Sequence, residues 1–233
     1  MKVIDAHVHI YERICGYGGR GELRAVGNGV ARWANGDLHT LIPEGMGSTG
    51  FSAERLLKLL DQHHIDKAVI LQGNLYGFQN GYIQEAIARY PDRLTGACAV
   101  DPFARHGQEI LRHLLEENGY KAVKFEFSDK FGLMSFHRPF ALDGDVMTPY
   151  YQCIAERGAT LVVDIGAMGM DSYQPDAIAN IARQYGDMRI VVCHLLAHHC
   201  GEAEILAAEL DKLKLPNVWF DLSGLPWNTA PDP

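Results

Sequence analysis

The chain opens on Val3-Ile4-Asp5-Ala6-His7-Val8-His9-Ile10, and the reading of this stretch decides between two folds. Side chains alternate along a strand, so Asp5, His7 and His9 share one face while Ile4, Ala6, Val8 and Ile10 share the other. Beyond residue 50, short apolar runs alternate with amphipathic stretches. Strands are expected at 68–71, 94–100, 120–127, 160–165, 189–194 and 218–223. Helices are expected at 52–64, capped by Ser52, and at 81–90, 106–118, 149–157, 175–185 and 202–213. Strands alternating with helices indicate a parallel sheet, either open and doubly wound or closed into a barrel. An open nucleotide-binding sheet favours a glycine-rich turn after its first strand, and here that strand ends in two imidazoles. Both folds satisfy the pattern, and the missing glycine turn favours a closed α/β TIM barrel, with seven strands counted in the 233 residues.

That length suits one domain, 1–233. Residues 11–50 break the alternation with a glycine-rich insertion directly after the first strand. Loops that follow strands lie on the catalytic face of a barrel, so the insertion is expected to form an active-site wall or lid; a surface excursion is the plainer alternative. A net charge of −8 without a basic run argues against nucleic acid and against an anionic membrane surface. No stretch approaches the ~18 apolar residues that span a bilayer. Charge and histidine interrupt the N-terminal apolar run too early for a signal peptide. The five cysteines are scattered and form no Cys-x-x-Cys pair, which suits reduced thiols in a cytoplasmic protein.

Two imidazoles one strand repeat apart can converge on one ion, and neutral imidazole suits zinc, manganese or iron. The alternative for His7 and His9 is a polar strand end satisfied by hydrogen bonds. Lys124 and Glu126 share one face of the fourth expected strand, with Val123, Phe125 and Phe127 on the other. Two charges facing into a barrel either hold each other or meet a ligand or metal. Asp221 and Ser223 share a face of the last strand and would line the lumen if Trp219 does not turn that face outward. Arg13, Arg20 and Arg24 in the insertion could grip a substrate carboxylate or stay solvated. His198 stands close enough to His194 in sequence to reach a pocket.

The first stretch resembles the opening signature of the amidohydrolase superfamily. It is more similar to the branch that holds aminocarboxymuconate-semialdehyde decarboxylase and related aromatic-acid decarboxylases and hydrolases. Asp66-Lys67-Ala68-Val69-Ile70-Leu71, Tyr90-Pro91-Asp92-Arg93-Leu94, Val191-Val192-Cys193-His194 and Asn217-Val218-Trp219-Phe220-Asp221-Leu222-Ser223 extend the likeness over nearly the whole chain. The resemblance implies that His7 and His9 are metal ligands and that His194 handles protons. It also implies a fifth-strand histidine, where this sequence has Asp164. Asp164 is expected either to ligate the ion or to orient a ligating imidazole. Glu126 is a further candidate ligand, and Lys124 and Arg20 are candidate substrate contacts. Family members fold as a (β/α)8 barrel whose eighth strand ends in an aspartate, so the resemblance implies that the eighth strand, and with it a catalytic residue, is absent from the sequence.

The expected function is hydrolysis or non-oxidative decarboxylation of a small, carboxylated cyclic or aromatic compound. A divalent ion, zinc first and manganese or iron next, would activate water or polarise a substrate oxygen. Two alternatives stand beside it: a metal-free lactonase of the same branch, and a degenerate barrel that only binds a ligand or partner. The expected partner is a small molecule; a homo-oligomer is left open.

Overall fold

A computed structural model describes residues 2–197 and 203–224. Strand β1 (Ile4–Val8) leads into an inserted meander of β2 (Cys15–Gly18), β3 (Gly21–Gly27), β4 (Val30–Trp33) and β5 (Leu38–Thr40). Helix and strand then alternate through α1 (Ala53–Gln62), β6 (Lys67–Ile70), α2 (Asn80–Arg89), β7 (Leu94–Cys98) and α3 (Gly107–Glu116). The pattern continues with β8 (Ala122–Glu126), α4 (Thr148–Glu156), β9 (Thr160–Asp164), α5 (Pro175–Gln184), β10 (Ile190–Val192), α6 (Ala203–Lys212) and β11 (Val218–Phe220). Each strand and helix expected beyond residue 50 is present, its ends trimmed or moved by up to three residues.

The main sheet runs β1-β6-β7-β8-β9-β10-β11, with every neighbouring pair parallel. Strands lie about 4.8 Å apart, so the edges of a flat sheet of this width would stand roughly 29 Å apart. Instead, His7 Nδ1 from β1 lies 2.9 Å from Asp221 Oδ2, just past β11. The sheet therefore curls until its first and last strands touch through side chains, as a TIM barrel does.

Apolar residues on both faces of the strands drive this closure. Val123, Phe125, Leu161, Val163, Ile190 and Val192 pack outward against the helices. Leu71, Ala97, Val162 and Cys193 fill the lumen. Caps set the helix starts: Ser52 accepts a hydrogen bond from Arg55 N–H (3.3 Å), which places Leu56 and Leu60 in the core. Pro149 and Pro175 open α4 and α5, where a missing N–H costs nothing. No described helix is long and apolar enough to cross a membrane.

The insertion is more regular than its glycine content suggests. It is a four-stranded antiparallel sheet built around Leu23, Ala25, Ala31 and Trp33. Gly27 pairs with Val30 across Asn28-Gly29, and both linking residues have positive φ (52° and 75°). That is the two-residue turn whose twist matches paired strands, and Asn-Gly is its sequence signature. The sheet docks on the loop after β6, where Cys15 N–H donates to Tyr76 O (3.2 Å) and Tyr17 N–H to Asn74 O (3.1 Å).

Candidate active site

At the C-terminal end of the barrel the structure gathers His7, His9, Lys124, Glu126, Asp164, His194, Asp221 and Ser223. β1 reaches this point through an irregularity. Asp5 pairs with Ala68 and Val8 with Ile70, so three steps on β1 answer two on β6. The strand ends at Val8, yet the His7 and His9 rings still lie 5.0 Å apart, and the His7 and His194 rings 4.9 Å apart.

Hydrogen bonds assign each imidazole a role. His9 Nδ1 sits 2.9 Å from the Leu71 carbonyl, which only accepts, so Nδ1 carries the proton and Nε2 keeps its lone pair. Burial, with the charges of Lys124 and His7, lowers the His9 pKa to about 3. His7 Nδ1 donates to Asp221, and its buried Nε2 has no partner among the described residues. Burial holds the His7 pKa below 6.5, although Asp221 pulls the other way. Both first-strand histidines are neutral, with Nε2 free for an electrophile.

His194 differs. Its Nδ1 donates to the Ser223 carbonyl (2.8 Å), and its Nε2 lies 3.4 Å from Asp164 Oδ2. A ring between a carbonyl and a carboxylate has an acceptor at each nitrogen, which favours the imidazolium. Burial lowers the His194 pKa, but the hydrogen bond and charge of Asp164 outweigh it and leave the pKa above 6.5. Burial raises the Asp164 pKa, and His194 and Lys124 more than reverse this, bringing it to about 2.

His194 is not on the strand where it was expected. β10 ends at Val192, and His194, Leu195 and Leu196 all take left-handed backbone (φ 59°, 46° and 63°). Such a turn of non-glycine residues costs about 1–2 kcal/mol per residue. Asp221 holds it in place: its carboxylate accepts from His194 N–H (2.9 Å) and its carbonyl from Leu195 N–H (2.9 Å). Ser223 Oγ donates to Asp221 Oδ1 (2.5 Å) and lies 2.8 Å from His7 Nδ1 and 3.0 Å from His194 Nδ1.

Lys124 is 3% exposed, and its ammonium has no hydrogen bond or ion pair among the described residues. Burial lowers its pKa, while Cys193, Asp164, Glu126 and Asp221 around it raise it further, so it stays charged. Glu126 Oε2 accepts from Asn74 N–H (3.0 Å). Burial and the Asp164 charge lift the Glu126 pKa to about 7.

Ligand atoms of His7, His194 and Asp221 lie within 4.8 Å of one another. The Nδ1 atoms and the carboxylate of that group are already bonded to each other and to Ser223, so His7 Nε2 is its free donor. His9, Glu126 and Asp164 stand outside this trio. Arg20 is not brought to the site at all. It lies on the exposed turn between β2 and β3, paired with Asp37 (3.2 Å). His198 lies outside the described residues.

The model of the amidohydrolase family matches residues 4–233. The chain belongs to the amidohydrolase family. Its barrel is similar to solved amidohydrolase barrels of low sequence identity. One is described as a probable 2-pyrone-4,6-dicarboxylic acid hydrolase from Acinetobacter baumannii with citric acid bound (TM-score 0.62, 17% identity, 96% of this chain and 71% of that one). Another is 5-carboxyvanillate decarboxylase from Sphingomonas paucimobilis (TM-score 0.52, 14% identity, 73% and 64%). A third is a variant of 5-carboxyvanillate decarboxylase from Novosphingobium aromaticivorans with manganese and 3-methoxy-4-hydroxy-5-nitrobenzoic acid (TM-score 0.50, 19% identity, 70% and 54%). The chain thus spans little more than half to about seven tenths of these proteins. No curated protein sequence matches it.

In this amidohydrolase the Asp164–His194 pair makes stability pH-dependent. His194 has a raised folded pKa, so its contribution is complete below 6.5 and is lost as pH rises through the folded value. Asp164 has a lowered one, so its contribution is present above 3.8 and is lost as pH falls toward about 2. Denaturant unfolding of wild type and Asp164→Asn at pH 5 and pH 8 is expected to show the larger difference at pH 5. An equal or reversed difference would show that the two groups do not pair.

Proposed function

We propose that this amidohydrolase hydrolyses or non-oxidatively decarboxylates a small, carboxylated cyclic or aromatic compound. The observation that carries the reading is the Lys124 side chain, whose ammonium has no hydrogen bond among the described residues, beside the His7, His9 and His194 imidazoles at the catalytic end of a barrel. The neighbouring carboxylates keep it charged without hydrogen-bonding it, which leaves its protons for a substrate carboxylate. The names of the neighbours fit this choice, since each describes a ring bearing carboxylates.

His194 is the proton carrier in this reading. Its Nε2 proton is held by Asp164 and can pass to a leaving oxygen or to the ring carbon that loses carbon dioxide. Asp164 keeps the ring charged, and Ser223 with Asp221 sets its angle. Glu126, near half-protonated at neutral pH, can exchange a proton with the substrate or steady it. The inserted sheet, docked over the loop after β6, forms a wall of the site.

His7 and His9 fit a divalent ion: both are neutral, both have Nδ1 committed elsewhere, and the His7 Nε2 is buried and unpartnered. Zinc is the first choice and manganese or iron the next. Such an ion, when bound, supplies Lewis acidity toward water or a substrate oxygen. Lys124 favours a second reading, a metal-free lactonase. Its ammonium charge acts on His7, His9 and His194 alike, which opposes a cation there.

Metal analysis of the purified protein, with turnover of 2-pyrone-4,6-dicarboxylate and 5-carboxyvanillate before and after chelation, separates the readings. Bound metal and chelator-sensitive turnover support the first; turnover that survives chelation supports the second. No turnover of any ring carboxylate would sink both. His9→Ala is expected to weaken metal binding by about 10²-fold, since ~10–16 kcal/mol for a four-ligand site is about 3 kcal/mol per ligand. Unchanged affinity would remove His9 from the coordination.

A further inference from the structure

We propose that the phenol of Tyr76 is a substrate-binding group that holds the substrate's carboxylate together with Lys124. The buried and half-buried tyrosines of this chain divide by what their hydroxyls do. Tyr120, Tyr150 and Tyr151 donate to the carbonyls of Asn80, Pro102 and Leu142 (2.6, 2.9 and 2.8 Å), and Tyr82 accepts from Ala53 N–H (3.1 Å). Tyr11 is buried and Tyr76 half-buried, yet neither hydroxyl has a hydrogen bond among the described residues. Neither is sealed from solvent. A tyrosine taken out of water normally finds a partner for its O–H, so these two are left for a ligand. Both rings line a cavity of about 560 Å³ that also reaches His7 and His9.

Of the two, Tyr76 stands beside the reacting groups. Its ring packs 5.0 Å from the His9 ring and stacks on Tyr11 (4.3 Å, 7° between planes). The loop that carries it is pressed onto the end of β8. Glu126 Oε2 accepts from Asn74 N–H (3.0 Å), and a Cβ added at Gly73 would collide with the same oxygen. The charges of Glu126 and Lys124, both on β8, act on the Tyr76 hydroxyl, whereas Tyr11 senses only Tyr76.

The fold also holds the ring still. Tyr76 N–H donates to Gly73 O (3.2 Å), and its carbonyl accepts from Cys15 N–H (3.2 Å) and Gln79 Nε2 (3.2 Å). A ring fixed by its backbone and by stacking loses little freedom when it binds. His7 and His9 spend their Nδ1 protons on Asp221 and on the Leu71 carbonyl, so neither imidazole has a proton to offer a ligand. A phenol, with its ordinary pKa of about 10, keeps its proton at neutral pH and donates it. The Lys124 ammonium supplies charge, and the Tyr76 hydroxyl supplies one aimed donor; a carboxylate has an oxygen for each.

This inference deepens the proposed function and rests on its placing of a carboxylate at Lys124. The test is calorimetric binding of benzoate, which has a single carboxylate, to wild type, Tyr76→Phe, Tyr11→Phe and Lys124→Met, with the melting temperature of each. Tyr76→Phe is expected to bind benzoate at least about tenfold more weakly, the scale of one hydrogen bond to a charged group. It should melt at or above wild type, since the fold makes no use of that hydroxyl. Lys124→Met should weaken benzoate too, and Tyr11→Phe, which keeps the stack, should not. On any ring carboxylate that is turned over, Tyr76→Phe should raise KM by about the same factor and leave kcat nearly unchanged, as loss of uniform binding does. A wild type that does not bind benzoate, unchanged binding by Tyr76→Phe or Lys124→Met, an equal loss in Tyr11→Phe, or a Tyr76→Phe that melts lower would each overturn the proposal. Benzoate binding that depends on Tyr76, without turnover of any ring carboxylate, would sink the proposed reaction and keep this role; turnover with an unchanged KM in Tyr76→Phe would do the reverse.

Discussion

Asp221→Ala is expected to cost about 3–5 kcal/mol of stability and to abolish turnover, the largest combined effect of any single change. Removing one partner of a buried, charged hydrogen-bond group leaves the others unpaired, which sets that scale. Asp221 is 9% exposed, and its carboxylate gathers His7 Nδ1, His194 N–H, Ser223 N–H and Ser223 Oγ within 2.5–3.1 Å. Those bonds hold its pKa far below the usual carboxylate range despite burial. They also anchor the left-handed turn at His194, and nothing else in the described structure holds the His194 amide. Asp221→Asn should lose less stability, because it keeps the shape and one acceptor oxygen. Denaturant unfolding measures both variants; a loss under about 1 kcal/mol for Asp221→Ala would show that the carboxylate does not organise the site.

His194→Asn is expected to lower turnover by ~10²–10⁴-fold while substrate still binds, the usual range for losing a positioned acid or base. Asparagine offers nitrogen and oxygen near the ring's own positions but carries no titratable proton. Lys124 is untouched, so KM should move little while kcat falls. A raised KM with unchanged kcat would make His194 a binding group and remove it from proton transfer.

Much of this was legible in the sequence for a physical reason. Parallel strands buried on both faces, such as Leu161-Val162-Val163, read as continuous apolar runs between amphipathic helices, and that pattern survives without any knowledge of closure. The His7 and His9 pair and His194 could be singled out because strand ends face the catalytic side of a barrel. The part played by Asp221 and Ser223 could not. They meet His7 only when β11 curls round to β1, across more than 200 residues of sequence, and Trp219 left the face of that strand open. The left-handed turn at His194 was hidden too, since Val191-Val192-Cys193-His194 reads as unbroken strand. The meander in the insertion had a signal that length and glycine content obscured, the Asn28-Gly29 turn. Arg20 drew notice as a carboxylate binder, but its place on a hairpin tip pairs it with Asp37 in solvent.

The division of labour among three imidazoles is tested most directly by nitrogen-detected NMR of the histidine rings as the pH is lowered. The account predicts that His194 takes up its second ring proton first, at a pH above 6.5, while His7 and His9 stay neutral there, with the proton on Nδ1 and a bare Nε2. Protonation of His7 or His9 before His194 would contradict it.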